Sequence, residues 1–347
     1  MATWQEIQNN PRLKDIQENR IKILKNIREF FWHNGFDEVD TPISMREPGQ
    51  EPYLNPIKIG IKDAIGKEYD FYLRTSPEYA LKKFLATGKE KIFEIAKCFR
   101  NGEALEGTHC PEFTMLEWYR APGKLSNIMD DTEALFKFVM NKLDKHQFSY
   151  RGIQIYCFEK WERVAMKELF QKYLSVNLDE YLETKKIFEL AKKLGYQADP
   201  NDEYENIFFK IFLNEIEPKL GLEKPIFVYD YPAQMCSLSK LTESDPRYAE
   251  RFELYIGGLE IANAFGELTD PAEQQKRLED DRKLRQKLGK EIWSVDPDFI
   301  AALGELEKQG REAGGIALGI DRMVVLCTGA KDIKEVIFSS PADQLEI

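Results

Sequence analysis

The apolar positions of this chain change their spacing several times, and each change marks a new element. Over residues 16–33, "IQENRIKILKNIREFFWH", Ile23, Ile27, Phe30 and Phe31 recur near every 3.6 residues and predict an amphipathic helix. Gly35 closes it, and Pro42 interrupts the extended segment that follows. "EYDFYLRTS", "KIFEIAKCFR" and "EFTMLEWYRA" are strand-like. A helix is expected from about Ser126 to Lys145, then a mostly helical, charged insertion over about 159–220. "PIFVYDYP", "AERFELYIGGLEIANAF" and "GGIALGI" return to strand character. "DPAEQQKRLEDDRKLRQKLGK" predicts a strongly charged helix, most simply a solvated face.

Strands joined by hairpin-length turns, with helices around them, predict an α+β fold built on a mostly antiparallel sheet. There is no regular βαβ alternation, no G-x-G-x-x-G and no G-x-x-x-x-G-K-[ST], so a nucleotide would be held some other way. A net charge of −11 argues against a dedicated nucleic-acid binder but leaves room for a local basic patch. No run of about 18 apolar residues occurs and the amino terminus is polar, so no membrane span is expected. Cys98, Cys110, Cys157, Cys236 and Cys327 form no C-x-x-C pair and are odd in number, as reduced cytoplasmic thiols would be. Three scattered histidines argue against a zinc site.

The stretch "CFRNGEALEGTHCPEFTMLEWYR" holds the densest chemistry. If residues 112–120 form a strand, Phe113, Met115, Glu117 and Tyr119 share one face. Paired as a hairpin with the preceding run, they bring Arg100 beside Phe113 at the loop end and leave Glu117 and Tyr119 deeper in the sheet. Arginine offers a permanent charge and a planar fork to a phosphate, and a phenylalanine can stack on a purine. A buried glutamate with a tyrosine suits an ammonium group. Ser76, Pro77 and Glu78 stand at a helix start, where capping alone would also explain them. Glu260, Asn263 and Glu267 sit in an apolar setting and need cations: Mg²⁺, a substrate amine or internal salt bridges. Arg322 lies in the first turn of a helix after a glycine turn, placed for an anion or for a surface ion pair. Two arginines suit a polyphosphate, and four acids suit a diamine with a metal. Together they point to ATP activation of a lysine-like amino acid.

These segments resemble the class II aminoacyl-tRNA synthetases. "RIKILKNIREFFWHNGFDEVDTP" is similar to their motif 1, "FRNGE…HCPEFTMLEWYR" to motif 2 and "GIALGIDRMVVL" to motif 3, in the family's order. The lysyl-tRNA synthetases are the nearest subclass. "TSPEY", "PEFTMLEWYR", "ERFELYIGGLEIAN" and "GIALGIDR" resemble more closely still the elongation factor P–(R)-β-lysine ligases, truncated paralogues of those synthetases. The resemblance implies one class II catalytic domain over 1–347 without an anticodon-binding domain, since motif 1 begins too early to leave room for one. It also implies a homodimer paired through residues 20–42, and a tRNA role poorly provided for.

The resemblance assigns roles by position. Arg100 would hold the α-phosphate, Phe113 would stack on adenine, and Arg322 would reach the γ-phosphate. Asn101, Glu103, His109, Ile261 and Gly319 would complete the ATP site, with Glu260 binding Mg²⁺. Glu78 would hold the backbone-side amine of lysine or (R)-β-lysine, with Ser76 and Pro77 also in the substrate site. Tyr119 and Glu267 would hold the side-chain ammonium, with Glu117 and Asn263 completing the pocket. Ala317 stands where lysyl-tRNA synthetases usually have glycine. The motif 2 loop departs from the family: it is one residue longer, has Cys110 before Pro111, and carries no arginine of its own. The implied reaction is adenylate formation followed by transfer to a lysine side chain of translation elongation factor P. A minimal lysyl-tRNA synthetase, or an inactive paralogue serving as a binding module, are the alternatives.

Overall fold

The computed structural model describes residues 3–345. Its centre is an eight-stranded sheet, here numbered in chain order: β1 (Asp37–Glu38), β2 (Lys91–Phe99), β3 (Glu112–Arg120), β4 (Glu162–Ala165), β5 (Ile226–Pro232), β6 (Tyr248–Ile256), β7 (Leu259–Gly266) and β8 (Gly314–Gly319). Their spatial order is β1-β2-β3-β8-β7-β6-β5-β4. The six central strands run antiparallel, and only the edge pairs β1/β2 and β4/β5 are parallel. The expected α+β class with a mostly antiparallel sheet is therefore what the chain forms.

The two faces of the sheet differ in chemistry because strand side chains alternate. Phe93 and Trp118, opposite each other on β2 and β3, point into the main core. The helix Pro11–His33 packs there: Phe31 stacks on Phe93 with ring centroids 4.7 Å apart and lies 5.2 Å from Trp118. This helix starts five residues before the apolar pattern suggested. Asn10 accepts from the N–H groups of Arg12 and Leu13, and Pro11 occupies the first turn, a strong start signal outside the periodic stretch. Its apolar residues Ile23, Ile27, Phe30 and Phe31 are buried in the chain's own core, not left for a partner.

The other face carries acids. Glu94, Glu117, Ala317, Asn263 and Glu253 form one row across β2, β3, β8, β7 and β6. The next row places Tyr119 opposite Gly315 and Phe265 opposite Arg251. Gly257 and Gly258, both at positive φ, make the two-residue turn between β6 and β7 and set their register. That register slips once: Leu254 opposes Ala262, but Tyr255 opposes Glu260, so Ile261 is a bulge residue. The slip turns Glu260, rather than Ile261, onto the acidic face.

Two expectations need correction. The insertion is not simply helical: it opens with β4, which extends the main sheet, and its helices share a core with β5 and β6. The helix Pro271–Lys287 is not simply a solvated face either. Gln274, Leu278 and Arg285 are buried. The Arg285 guanidinium donates to the carbonyls of Glu51 and Leu54 at 2.8 Å and lies 4.2 Å from the Trp293 ring centroid. A charged side chain satisfied by carbonyls and an aromatic ring can be buried where composition alone suggests solvent. All five cysteines are free and buried. No helix among the described residues is long and apolar enough to cross a membrane.

Candidate active site

A cavity of about 610 Å³ opens on the acidic face. Arg100, Glu103, His109, Phe113, Glu260, Ile261, Asn263, Ala317, Gly319 and Arg322, all anticipated from the sequence, line it. Arg100 follows the last residue of β2, where its N–H donates to the Pro111 carbonyl at 2.9 Å and closes the loop. Its guanidinium lies over Phe113, 5.0 Å from the ring centroid. Its Nε is buried without a hydrogen-bond partner, and the side chain makes no ion pair among the described residues. An unneutralised arginine beside an aromatic ring is arranged for an anionic, aromatic ligand.

Arg322 closes the other side. It sits in the first turn of the helix Ile320–Thr328 and donates to the Glu260 carbonyl at 2.6 Å and the Thr108 carbonyl at 3.3 Å. Its guanidinium is 3.6 Å from the Glu260 carboxylate. Asp321 anchors that helix by pairing with Arg20 at 2.5 Å and accepting from the Thr114 N–H at 2.7 Å. In the loop between β2 and β3, His109 bonds Glu103 at 2.9 Å, and that bond is the main reason the Glu103 carboxyl is lowered. Asn101 does not border the cavity: it is exposed and its N–H donates to the Asn55 carbonyl at 2.7 Å.

Two neighbouring acids on this face, Glu253 and Glu260, differ in freedom. Glu253 is saturated: it accepts from Arg251 at 2.5 Å, from Tyr231 at 2.5 Å and from Tyr255. Glu260 has one ion-pair partner among the described residues, Arg322, and burial followed by the Glu253 charge raises its carboxyl. Among the described residues no group of three or more His, Cys, Asp or Glu side chains is arranged to hold a metal. A Mg²⁺ ion would fit as this metal usually does, on one carboxylate with the remaining positions on phosphate oxygens and water, and Glu260 is the available carboxylate.

Behind Ala317 and Asn263 lies a second, closed group. Glu78, Glu117, Tyr119 and Glu267, which the sequence marked for amine binding, gather here and do not line the open cavity. Tyr119 donates to Glu117 at 3.0 Å, and the other Glu117 oxygen is buried and unpartnered. Desolvation holds the Glu117 carboxyl well above its ordinary range. Glu267 is likewise raised by burial, to about 8, although Lys82 opposes the rise. Its Oε1 is also unpartnered. Gly315 makes the space, since a Cβ there would collide with the Tyr119 ring and Glu267 Oε1. Ser76 accepts from the Glu78 N–H at 3.3 Å and Pro77 is the N-cap residue, so both also serve helix capping. Asn263 accepts from Arg251 at 3.0 Å.

Two site residues were missed from the sequence. Lys82 bonds Glu78 at 2.5 Å and Glu267 at 2.6 Å, and its four-residue spacing from Glu78 was the available signal. Arg251 holds Asn263 and Glu253, and its place two residues before Glu253 on a strand put both on one face.

The family model for "tRNA synthetases class II (D, K and N)" matches residues 3–341. The chain is 36% identical to the elongation factor P–(R)-β-lysine ligase of Proteus mirabilis over 321 residues, 92% of each protein. It is 35% identical to the protein of the same name from Haemophilus influenzae over 320 residues, again 92% of each. It is 36% identical to the lysine–tRNA ligase of Pelotomaculum thermopropionicum over 334 residues, 94% of this chain and 63% of that protein.

Proposed function

Because the chain belongs to the class II tRNA synthetases (D, K and N), we propose that it activates (R)-β-lysine, or lysine, with ATP and transfers it to a lysine side chain of translation elongation factor P. The observation that carries this reading is the adjacency of two environments. The unpartnered Arg100 over Phe113 suits a nucleotide, and the buried acids behind Ala317 suit two ammonium groups. Near end-to-end similarity to proteins named for that reaction supports the acceptor.

In the first step a carboxylate oxygen of the amino acid attacks the α-phosphorus of ATP. An O–P bond forms, the bond to pyrophosphate breaks, and an aminoacyl adenylate results. Arg100 offsets charge on the α-phosphate, Phe113 stacks on adenine, and Arg322 with His109 holds the outer phosphates. Glu260 would hold Mg²⁺, which supplies further charge neutralisation to the phosphates. Glu78, Glu117, Tyr119 and Glu267 fix the amines and so aim the carboxylate. In the second step the acceptor amine attacks the adenylate carbonyl, the amide C–N bond forms, and AMP leaves with the C–O electron pair. No enzyme nucleophile is needed.

The test is intact-mass measurement of elongation factor P after incubation with ATP and either lysine isomer. A mass gain of one lysyl residue is the expected result, and an unmodified protein with both isomers would sink the reading. The match to a lysine–tRNA ligase spans only 63% of that protein and does not favour tRNA as acceptor, which the same incubation with tRNA checks. We also propose a reducing, cytoplasmic setting, with which the unbridged cysteines agree. A homodimer is proposed too. With the apolar residues of helix Pro11–His33 turned inward, pairing would use exposed Ile21 and Trp32, and light scattering would report it.

A further inference from the structure

Lys82 is 1% exposed, in a chain where most lysines reach solvent. Its ammonium group sits between Glu78 and Glu267, under the Phe299 ring, with the ring centroid 6.0 Å away. Other buried acids on the same sheet face have cations of their own. Glu94 pairs with Arg74 at 2.8 Å, and Glu253 with Arg251. The amine pocket is built differently: among the described residues Glu78, Glu117 and Glu267 have one protein cation for the three. Two carboxylate oxygens, Glu117 Oε1 and Glu267 Oε1, are left without a partner.

We infer that Lys82 determines the charge specificity of this pocket: one lysine against three acids leaves two carboxyls without a protein cation, countered by protons when the pocket is empty and by a substrate with two ammonium groups when it is filled. Lys82 touches neither phosphate nor the reacting carboxylate in the reaction proposed above, on which this inference rests. It is a positioning residue, acting through Glu78 and Glu267. Once that ammonium is gone, the two buried carboxylates that both reached it are left without a counter-charge, and burial favours their neutral, protonated forms. Three carboxyls without the ammonium, two of them neutralised by protons, leave one negative charge where the wild-type pocket offers a bound substrate two. A ligand with a single ammonium would then suit it nearly as well as a ligand with two.

The test uses the full chain and two probes, L-lysine and L-norleucine, which differ in the terminal ammonium. Binding is measured by calorimetry for the wild type, Lys82→Met and Lys82→Gln. Methionine keeps the length of the side chain. Glutamine keeps N–H donors, so the pair separates charge from packing and from hydrogen bonding. The preference for lysine over norleucine is expected to fall at least about tenfold in both variants, the value of one charged hydrogen bond. Lysine binding in the variants should also strengthen only at higher pH than in the wild type. ATP affinity, set at the other end of the cavity, stays at its wild-type level.

A folded variant that keeps the wild-type preference and pH profile overturns the inference, as does a wild type that binds lysine no better than norleucine. If Lys82→Met fails to fold, Lys82→Gln decides. Pyrophosphate exchange by the wild type with lysine and (R)-β-lysine is run alongside. Its absence would remove the proposed reaction, while lysine binding without exchange would still report on Lys82.

Discussion

Arg100 lies over Phe113 because Phe113 opposes Cys98 across the β2–β3 ladder, and Arg100 is two residues further along β2's path. The pair is held by strand register on one side and by the bond to the Pro111 carbonyl on the other. Its guanidinium, unengaged by any carboxylate among the described residues, is the charge on which adenylate formation depends in the proposed mechanism.

Arg100→Ala is expected to cut pyrophosphate exchange by about 10²–10³, the usual cost of one preorganised contact to developing charge. The melting temperature should hardly change, since the side chain makes no ion pair among the described residues. Exchange near the wild-type rate in a folded variant would take Arg100 out of the reaction.

Gly315→Ala should damage amine binding more than ATP binding. The added methyl meets the Tyr119 ring and the free oxygen of Glu267, so both must shift. A tenfold or greater rise in KM for lysine, about 1.4 kcal/mol or more, is expected. Unchanged KM for lysine would mean that the two side chains are not amine ligands.

Ala317 opposes Glu117 on one neighbour and Asn263 on the other. Removing its methyl enlarges the floor between the open cavity and the amine pocket. A methyl-sized change in a pocket is worth about 1–3 kcal/mol of discrimination. Ala317→Gly is expected to raise kcat/KM for lysine relative to (R)-β-lysine in pyrophosphate exchange. An unchanged ratio would place isomer selection elsewhere.

Lysine binding should strengthen from pH 6 to about 8. In the unliganded protein burial raises the Glu267 carboxyl to about 8. A proton there competes with the substrate's ammonium, so acidification weakens binding, by at most about tenfold per pH unit for one proton. Calorimetry across this range checks the slope. A flat profile would show that Glu267 is already ionised before lysine arrives.

How much was readable before any coordinates depended on periodicity. Glu117 and Tyr119 were placed on one buried face, with Arg100 beside Phe113, because a strand alternates strictly and a hairpin brings its ends together. Lys82 escaped because an i,i+4 Glu–Lys pair on a helix ordinarily marks a solvated surface, and only the packing of Phe299 and Glu267 buries this one. The helix Pro297–Lys308 also went unread, although Asp296 followed by Pro297 is a clear start signal. Arg285 was unreadable for a different reason: its partners are carbonyls from residues 51 and 54, distant in sequence.

The bulge at Ile261 lets the hairpin carry one extra residue without changing the face that Glu260 takes. Deleting Ile261 would restore strict alternation and keep Glu260 opposite Tyr255 on the acidic face, whereas closing the bulge with every residue kept would turn the Glu260 carboxylate through the sheet into the apolar core, away from Arg322. Replacing Ile261 by valine would keep the count and leave Glu260 where it is. Descendants of this chain can therefore respell this position or drop it, so a gap here in an aligned relative would not by itself signal lost chemistry.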